Sequence, residues 1–407
     1  MDEHTRRIGK RKLEEVRVRF LESSPEEGAE GDEVCRRIIE QCVLEARDEL
    51  SVADAVALTE MIFDRTRSRM GVIRKLVEDE TVSEIMVNGA GSIFYEDPDG
   101  IHRSEILFDS TEELEELIRG IAGRVHREIN ELNPILDARL EDGSRVNAVY
   151  KNIVAEGPVL TIRKFARERI TMQEMIERGT VTAECAEYLR TLVLCGYNVF
   201  ISGGTSSGKT TFLNALTDFI PERERVIVIE DSRELMLPHI PNLVQMECHN
   251  ANMMGKGEVG MDQLIRTSLR MRPDRIIVGE IRGREVADML QAMNTGHDGS
   301  MSTGHGNSVR GMLRRLEAMY LMGSAMPMDA IRAQITEGID IMVHLSRMDD
   351  GSRKVAEIRE VIGEKNGEYQ LNPLFLMDER ALLRRTENRL ANRFRAVQKG
   401  REYGDRL

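Results

Sequence analysis

Gly203-Gly204-Thr205-Ser206-Ser207-Gly208-Lys209-Thr210 matches the phosphate-loop pattern G-x-x-x-x-G-K-[ST] in full, and this match is the strongest indication of the fold in the sequence. The apolar run Val199–Ser202 before it predicts a strand, and the apolar residues after it have helical spacing. Glycines let backbone N–H groups approach a β-phosphate, and the start of the helix adds partial positive charge. The stretch therefore predicts a nucleotide site of nine residues: Gly203, Gly204, Thr205, Ser206, Ser207, Gly208, Lys209, Thr210 and Thr211.

Two residues of this loop have specific predicted roles. Lys209 is expected to neutralise the β- and γ-phosphate oxygens, and the Thr210 hydroxyl is expected to bind Mg²⁺. No N/T-K-x-D motif for reading guanine occurs in the chain, which favours ATP over GTP. The predicted cofactors are ATP and Mg²⁺.

After the loop, apolar strands alternate with helices at Val226–Ile229, Arg275–Val278 and Ile341–Leu345. This alternation predicts an α/β fold, a RecA-like ATPase domain at 181–377 built on a mainly parallel sheet. Because the carboxyl ends of parallel strands share one edge, Glu280 and Glu230 are expected near the nucleotide. Glu280 is the candidate for orienting or deprotonating the attacking water and for an indirect Mg²⁺ contact.

The segment Thr295–His305 is rich in small polar residues and carries two histidines, His297 and His305. Zinc binding is disfavoured, since no cysteine or third histidine is nearby. The segment is interpreted as either a sensor of the γ-phosphate or a hydrogen-bonded turn, and both histidines are kept as catalytic candidates.

The other regions have different patterns. Residues 1–70 predict a helical extension with a break near Ser23–Gly31, and 71–165 predict a smaller α+β domain with a capped helix that begins after Ser110. A linker is expected at 166–180. Residues 378–407 predict one basic amphipathic helix, solvated or else in contact with an acidic partner or lipid surface.

Composition limits the function. The chain of 407 residues has a net charge of −13, no Trp and 4% aromatic residues, which disfavours general nucleic-acid binding. Its longest apolar stretch, about Leu192–Ile201, is far shorter than the roughly 20 residues that span a bilayer, and the charged N-terminus lacks a signal peptide. We therefore expect a cytoplasmic protein. Five cysteines without CxxC spacing indicate neither a disulfide scaffold nor a zinc site.

Four segments occur in the order and spacing of the type II/type IV secretion ATPase superfamily, which the chain resembles. They are the Walker A segment Gly203–Thr210, an aspartate box Ile229–Leu235, an atypical Walker B Ile276–Glu280 followed by Ile281-Arg282, and a histidine box Thr295–His305. Three further segments look like the CpaF-type ATPases of Tad/Flp pilus assembly, relatives of the VirB-type secretion ATPases: Met86–Gly89, Asp137–Asn147 and Leu160–Phe165. The tetracysteine zinc module of many related ATPases is absent from the sequence.

The resemblance implies a hexameric motor on the inner face of the cell membrane, docked on a polytopic platform protein, with no stable nucleic-acid partner. It also implies that ATP binds between the two domains and that arginines of the N-terminal domain reach the phosphates; the matching positions are Arg139, Arg145 and Arg163. The alternatives are a VirB-type ATPase that exports protein or DNA, a nucleic-acid translocase, and a non-catalytic nucleotide-sensing scaffold.

Overall fold

The computed structural model describes residues 3–23, 29–66, 68–165, 169–249 and 256–399. The chain divides into two compact units, Met1–Ala166 and Arg167–Leu407. The helices of the first unit are α1 (Glu3–Ser23), α2 (Ala29–Leu44), α3 (Val52–Thr66), α4 (Arg74–Glu78) and α5 (Thr111–Arg124). Its strands are β1 (Glu84–Asn88), β2 (Ile93–Asp97), β3 (Gly100–Arg103), β4 (Ile135–Arg139), β5 (Arg145–Val149) and β6 (Val159–Arg163).

The second unit alternates strands and helices. Its helices are α6 (Met172–Glu177), α7 (Ala183–Cys195), α8 (Lys209–Thr217), α9 (Met261–Ser268), α10 (Val286–Asn294), α11 (Val309–Gly323), α12 (Met328–Gly338) and α13 (Phe394–Lys399). Its strands are β7 (Val199–Gly203), β8 (Val226–Glu230), β9 (Leu243–Glu247), β10 (Arg275–Ile281), β11 (Met301–His305), β12 (Ile341–Arg347), β13 (Arg353–Lys365), β14 (Glu368–Met377) and β15 (Leu383–Arg385).

The predicted helical extension consists of α1, α2 and α3, which share a small core of their own. Cys35, Ile39 and Cys42 lie on one face of α2 and are fully buried in that core with Leu58 and Ile62 of α3. These positions recur at the spacing of one helix face. The predicted break falls partly in residues 24–28, outside the described residues.

The remainder of the first unit is a six-stranded antiparallel sheet of order β3-β2-β1-β6-β5-β4, with α5 contributing to its core. Ser110 caps α5 as predicted, since its side chain accepts a hydrogen bond from the Glu113 N–H. The Glu113 carboxylate accepts from the Asp109 N–H at 2.7 Å. The cap fixes where the helix starts, and Leu114, together with the apolar residues one and two turns later, is then buried against the sheet.

The second unit contains a nine-stranded sheet of order β15-β14-β13-β12-β7-β11-β10-β8-β9. The six strands from β12 to β9 run parallel, whereas β13, β14 and β15 continue the sheet as an antiparallel meander. Helices cover both faces and form two separate apolar clusters, so the parallel strands are buried on each side. This confirms the predicted α/β class, and it brings the carboxyl ends of β7, β8, β10 and β11 to one edge.

β11 is a central strand that the sequence did not predict. Its middle residues, Ser302, Thr303 and Gly304, are small and mostly polar, yet they are buried with Met301 between β7 and β10. Small side chains are needed here, because a Cβ on Gly304 would lie 2.8 Å from Met312 Cε and 3.0 Å from Phe200 Cζ. The close packing explains a strand that lacks β-branched apolar residues.

The prediction of one helix over residues 378–407 is wrong for the described part of the tail. β15 extends the sheet by pairing with β14, and only α13 is helical, while 400–407 lie outside the described residues. Buried Glu360 accepts hydrogen bonds from the N–H groups of Ala391 and Asn392 at 2.8 and 2.7 Å. Tyr197 donates to the Asn392 carbonyl at 2.7 Å. These long-range contacts satisfy hydrogen-bonding groups of the tail's backbone without a helix. The local apolar periodicity of the tail carries no information about such contacts.

The segment predicted as a linker, 166–180, begins with residues 166–168, which lie outside the described residues. From Thr171 onward it forms a capped helix, α6, in which Thr171 and Glu174 make a reciprocal capping box. Met172 and Met175 are buried in the core of the second unit. This part of the segment is therefore an integral element of that unit.

Candidate functional site

The phosphate loop lies between β7 and α8, and its backbone geometry requires glycine at two positions. A Cβ on Gly203 would lie 2.5 Å from Ser207 Oγ and 2.6 Å from the Leu345 carbonyl oxygen. Gly208 has a φ of +88°, in the left-handed region that favours glycine. Between them Gly204, Thr205 and Ser206 are exposed at the tip. The loop therefore presents its backbone to solvent directly at the start of a helix, where anions are stabilised.

Lys209 is buried at the base of the loop, with its side chain held by the loop itself. Its Nζ donates to the carbonyl oxygens of Gly203 at 3.2 Å and Gly204 at 2.7 Å. Burial lowers the pKa of Lys209, and the carboxylate of Glu280 opposes that shift. The ammonium is thus fixed at the place where a polyphosphate would need a positive charge.

His305 links Lys209 to Glu280. Its Nδ1 lies 3.3 Å from Lys209 Nζ, and its Nε2 lies 2.8 Å from Glu280 Oε1. Since an ammonium can only donate, Nδ1 must accept, and the ring proton of a neutral imidazole is then on Nε2, facing the carboxylate. Burial lowers the pKa of His305, which favours this neutral form. The three side chains form one polar line from the loop to the acid.

Glu280 lies near the end of β10 and is held from two sides. Arg282 lies on the side away from His305, with its guanidinium 3.0 Å from Glu280 Oε2 and 3.5 Å from Asp231 Oδ2. The hydrogen bond to Glu280 is the main cause of a raised pKa of Arg282. A carboxylate fixed in this way next to Lys209 has the chemistry of a general base for a water molecule at the phosphates.

Glu230 ends β8, beside Gly279 of the neighbouring strand β10. Its Oε1 accepts hydrogen bonds from the N–H groups of Glu234 and Leu235 at 2.9 and 3.1 Å. A Cβ on Gly279 would lie 2.9 Å from Glu230 Cγ, so glycine in β10 makes room for this side chain. In the structure Glu230 orders the start of the aspartate box, and it touches the strand that carries Glu280.

The predicted magnesium ligand, Thr210, lies next to Lys209 in the first turn of α8, and Thr211 follows it; both are partly buried. Throughout the described ranges, no cluster of three or more His, Cys, Asp or Glu residues that could hold a metal ion is present. Mg²⁺ is commonly bound by one or two protein oxygens together with phosphates and water, so a single threonine hydroxyl suits it. The residues at the loop therefore fit MgATP.

The structure separates the two histidines of the histidine box. His305 is at the carboxyl end of β11, opposite Gly203, whereas His297 precedes the strand at the other edge, with Nδ1 3.1 Å from the Ala292 carbonyl oxygen. The four residue steps of β11 place roughly 13 Å between these edges. The structure therefore does not bring His297 to this loop, and its catalytic role stays a prediction; its contact with the Ala292 carbonyl fits the alternative of a hydrogen-bonded turn.

The three predicted arginines of the first unit are aligned across its sheet. Arg139 of β4 is the register partner of Arg145 of β5, which is the partner of Arg163 of β6. Register partners on neighbouring strands point to the same face of a sheet. Glu84 of β1 is in turn the register partner of Arg163, so the row consists of three arginines with a carboxylate at one end.

The sequence analysis assigned no role to two residues at the edge of the sheet where the phosphate loop lies. Arg282 was quoted as part of the Walker B region without a role, although its place two residues after Glu280 was the available signal. Thr303 is buried in the unpredicted strand β11, and its hydroxyl donates to the Gly279 carbonyl at 2.7 Å. This bond ties the strand of His305 to the strand of Glu280.

The model of the type II/IV secretion system protein family matches residues 66–380. The chain belongs to this family. A putative conjugal transfer protein of Mycobacterium tuberculosis is 31% identical over 306 residues, covering 74% of this chain and 86% of that protein. The type IV secretion system protein PtlH of Bordetella pertussis is 34% identical over 305 residues, covering 69% of this chain and 90% of that protein.

Among solved structures, the Legionella pneumophila ATPase DotB superposes with a TM-score of 0.51 at 20% identity, covering 82% of this chain and 85% of that chain. At that identity the likeness shows the fold. The family match confirms the predicted superfamily and, at family level, ATPase activity with a nucleotide substrate. The finer assignment to Tad/Flp pilus assembly remains a prediction.

Proposed function

We propose that this secretion ATPase is a ring-forming motor that hydrolyses ATP to power assembly or retraction of a Tad/Flp-type pilus or a related secretion system. The observation that carries the proposal is the line from Lys209 through His305 to Glu280 at the carboxyl edge of the family fold. It supplies a cation for the phosphates and an oriented carboxylate in one site. The pilus assignment itself is supported by the CpaF-like segments quoted above.

Turnover at this site follows from the chain's own groups. Backbone N–H groups of the loop and Lys209 bind the phosphates, and Mg²⁺ at Thr210 supplies charge neutralisation when bound. Glu280 orients the attacking water and accepts its proton. His305, with its Nε2 2.8 Å from Glu280 Oε1, lies against the carboxylate on the side of the loop lysine. Arg282 holds it from the other side.

We also propose that the aligned arginines Arg139, Arg145 and Arg163 contribute positive charge to the triphosphate. Arginine suits this role because its planar guanidinium binds phosphate oxygens bidentately. Arg139 is additionally oriented by a hydrogen bond from its Nε to the Gly143 carbonyl at 3.2 Å. Three aligned arginines can bind more than one oxygen of the same polyanion.

Arg145→Ala, which removes the middle cation, is expected to lower the ATPase kcat about tenfold or more, because one charged contact to the phosphates is lost. The melting temperature should change by no more than about 2 °C, as for most partly exposed substitutions. Steady-state ATPase assays and thermal unfolding measure both. Arg103→Ala on the edge strand β3 is the matched control, and equal rates for both variants would refute the role.

For the assembled state, we propose a hexamer bound at the inner face of the cell membrane through a polytopic platform protein. In the portion of the chain that the structure describes, no helix has the length and apolar character to cross a membrane. The net charge of −13 argues against a stable nucleic-acid partner.

Export of protein or DNA by a type IV secretion system is the second candidate function. The names of two relatives favour it: one is described as a conjugal transfer protein and PtlH as a type IV secretion system protein. The same site would serve either machine, since the cargo is chosen elsewhere.

A trapped complex distinguishes the two candidates. The Glu280→Gln variant, loaded with ATP in native membranes and cross-linked, should retain its partners for identification by mass spectrometry. Recovery of a Tad-type platform protein and pilins is expected. Recovery of a type IV secretion channel or of DNA would keep the ATPase and overturn the pilus assignment. Lys209→Ala serves as the comparison without bound ATP.

A further inference from the structure

The hairpin formed by β12 and β13 runs alongside the phosphate loop. β12 pairs in parallel with β7, which places Leu345 opposite Gly203, and β13 begins with Arg353 on the far side of a tight turn. In that turn the Asp350 carboxylate accepts hydrogen bonds from the Ser352 N–H and hydroxyl at 2.9 and 2.6 Å. Sheet pairing and the closed turn together fix the position of Arg353 relative to the loop.

Arg353 contacts the part of the loop whose backbone is strained. Its Nε donates to the Ser206 carbonyl at 3.0 Å, and its Cδ lies 3.2 Å from where a Cβ on Gly208 would stand. Ser206 has a φ of +57°, a left-handed conformation that is unfavourable for a residue with a side chain. The hydrogen bond from Arg353 holds that residue in the conformation that shapes the loop.

The charge of Arg353 is not neutralised by an acid among the residues that the structure describes, where its guanidinium forms no ion pair and no hydrogen bond besides the one to Ser206. Arg347 is its register partner on β12 and likewise has no ion pair within those ranges. Two like charges opposite each other are unfavourable unless an anion lies between or beside them. Because both are exposed beside a phosphate loop, the anion they suit is a polyphosphate.

We infer that Arg353 is a positioning residue for the nucleotide: it fastens Ser206 through Nε and offers its terminal amino groups to the phosphates. The inference rests on ATP binding at this loop and is independent of the pilus or secretion assignment. The sequence offered no signal for it, since Arg353 is 144 residues after Lys209 and follows an ordinary Asp-Gly-Ser turn.

Arg353→Ala is expected to weaken binding of ADP and of a non-hydrolysable ATP analogue about tenfold, the usual effect of losing a charged hydrogen bond. The KM for ATP should rise by a similar factor while kcat stays within about threefold. Arg353→Lys keeps the charge but loses the planar fork, so about a threefold loss of affinity is expected. Isothermal titration calorimetry, steady-state kinetics and the melting temperature without nucleotide are the measurements.

Arg314→Ala, which removes an exposed arginine paired with Glu368, is the control and should bind nucleotide like the wild type. The inference is overturned if Arg353→Ala binds within twofold of the wild type, or if only kcat falls. A second result would also overturn it: the alanine and lysine variants bind nucleotide equally weakly, and both have melting temperatures well below that of the wild type without nucleotide. That result would mean that Arg353 stabilises the fold by packing and does not contact the phosphates. Absence of nucleotide binding by the wild type would overturn the phosphate site itself, whereas failure of the pilus proposal leaves these affinities unchanged.

Discussion

Lys209→Ala is expected to reduce ATP turnover by on the order of 10²–10³-fold or more, because the phosphates lose their one buried cation. The ammonium lies between two loop carbonyls and His305, so no other lysine can take its place without rebuilding the loop. Alanine leaves the glycines and the start of α8 unchanged. A steady-state ATPase assay measures the loss, and calorimetry shows whether nucleotide affinity falls with it.

Lys365→Ala is the matched control, since Lys365 is an exposed lysine at the end of β13 in the same unit. It should turn over ATP at the wild-type rate, and both variants should show a single cooperative unfolding transition near that of the wild type. An unchanged rate in Lys209→Ala would mean that hydrolysis does not occur at this loop. That outcome would remove the basis of the proposed motor.

Glu280→Gln should still bind ATP and should lower kcat by about 10²–10⁴-fold, the range for loss of a general base. The amide keeps the size of the side chain but cannot accept the proton of water. Its oxygen can still accept from Arg282 or from His305, so the line of side chains is preserved in shape. Equilibrium binding of ATP and single-turnover hydrolysis separate the two effects.

Glu258→Gln provides the control, because Glu258 is an exposed acid before α9. If Glu280→Gln hydrolysed ATP at a normal rate, the water-activating role would move to Glu230, the neighbouring buried carboxylate. If it lost ATP binding as well, Glu280 would be needed to assemble the site and not only for the chemical step. The structure favours the chemical role, since none of the hydrogen bonds of Glu280 goes to the loop backbone among the described residues.

Several features of the fold were accessible from the sequence because short-range patterns specify them. The apolar strands β7, β8, β10 and β12 are long runs buried on both faces, and such runs are recognisable without knowledge of their neighbours. The Ser110 cap of α5 was predictable for the same reason, since its partner is three residues away.

Other features were not accessible because they depend on partners far along the chain. β11 is a strand because Phe200 and Met312 leave room only for small residues, a fact of packing that no local propensity contains. The tail is not one helix because Glu360 and Tyr197 bind its backbone. His297 and His305 share a motif, yet the strand between them carries them to opposite edges.

The phosphate loop, the α/β class, the acid near the end of β10 and the superfamily were predictable from contiguous residues alone, because the spacing of those residues has a direct physical meaning. Which polar groups come into contact is visible only in the folded chain: Lys209 with His305 and Glu280, the alignment of Arg139, Arg145 and Arg163, and Arg353 against Ser206. Strand order and register determine these contacts, because a shift of one residue in strand pairing would turn each strand side chain to the other face of its sheet.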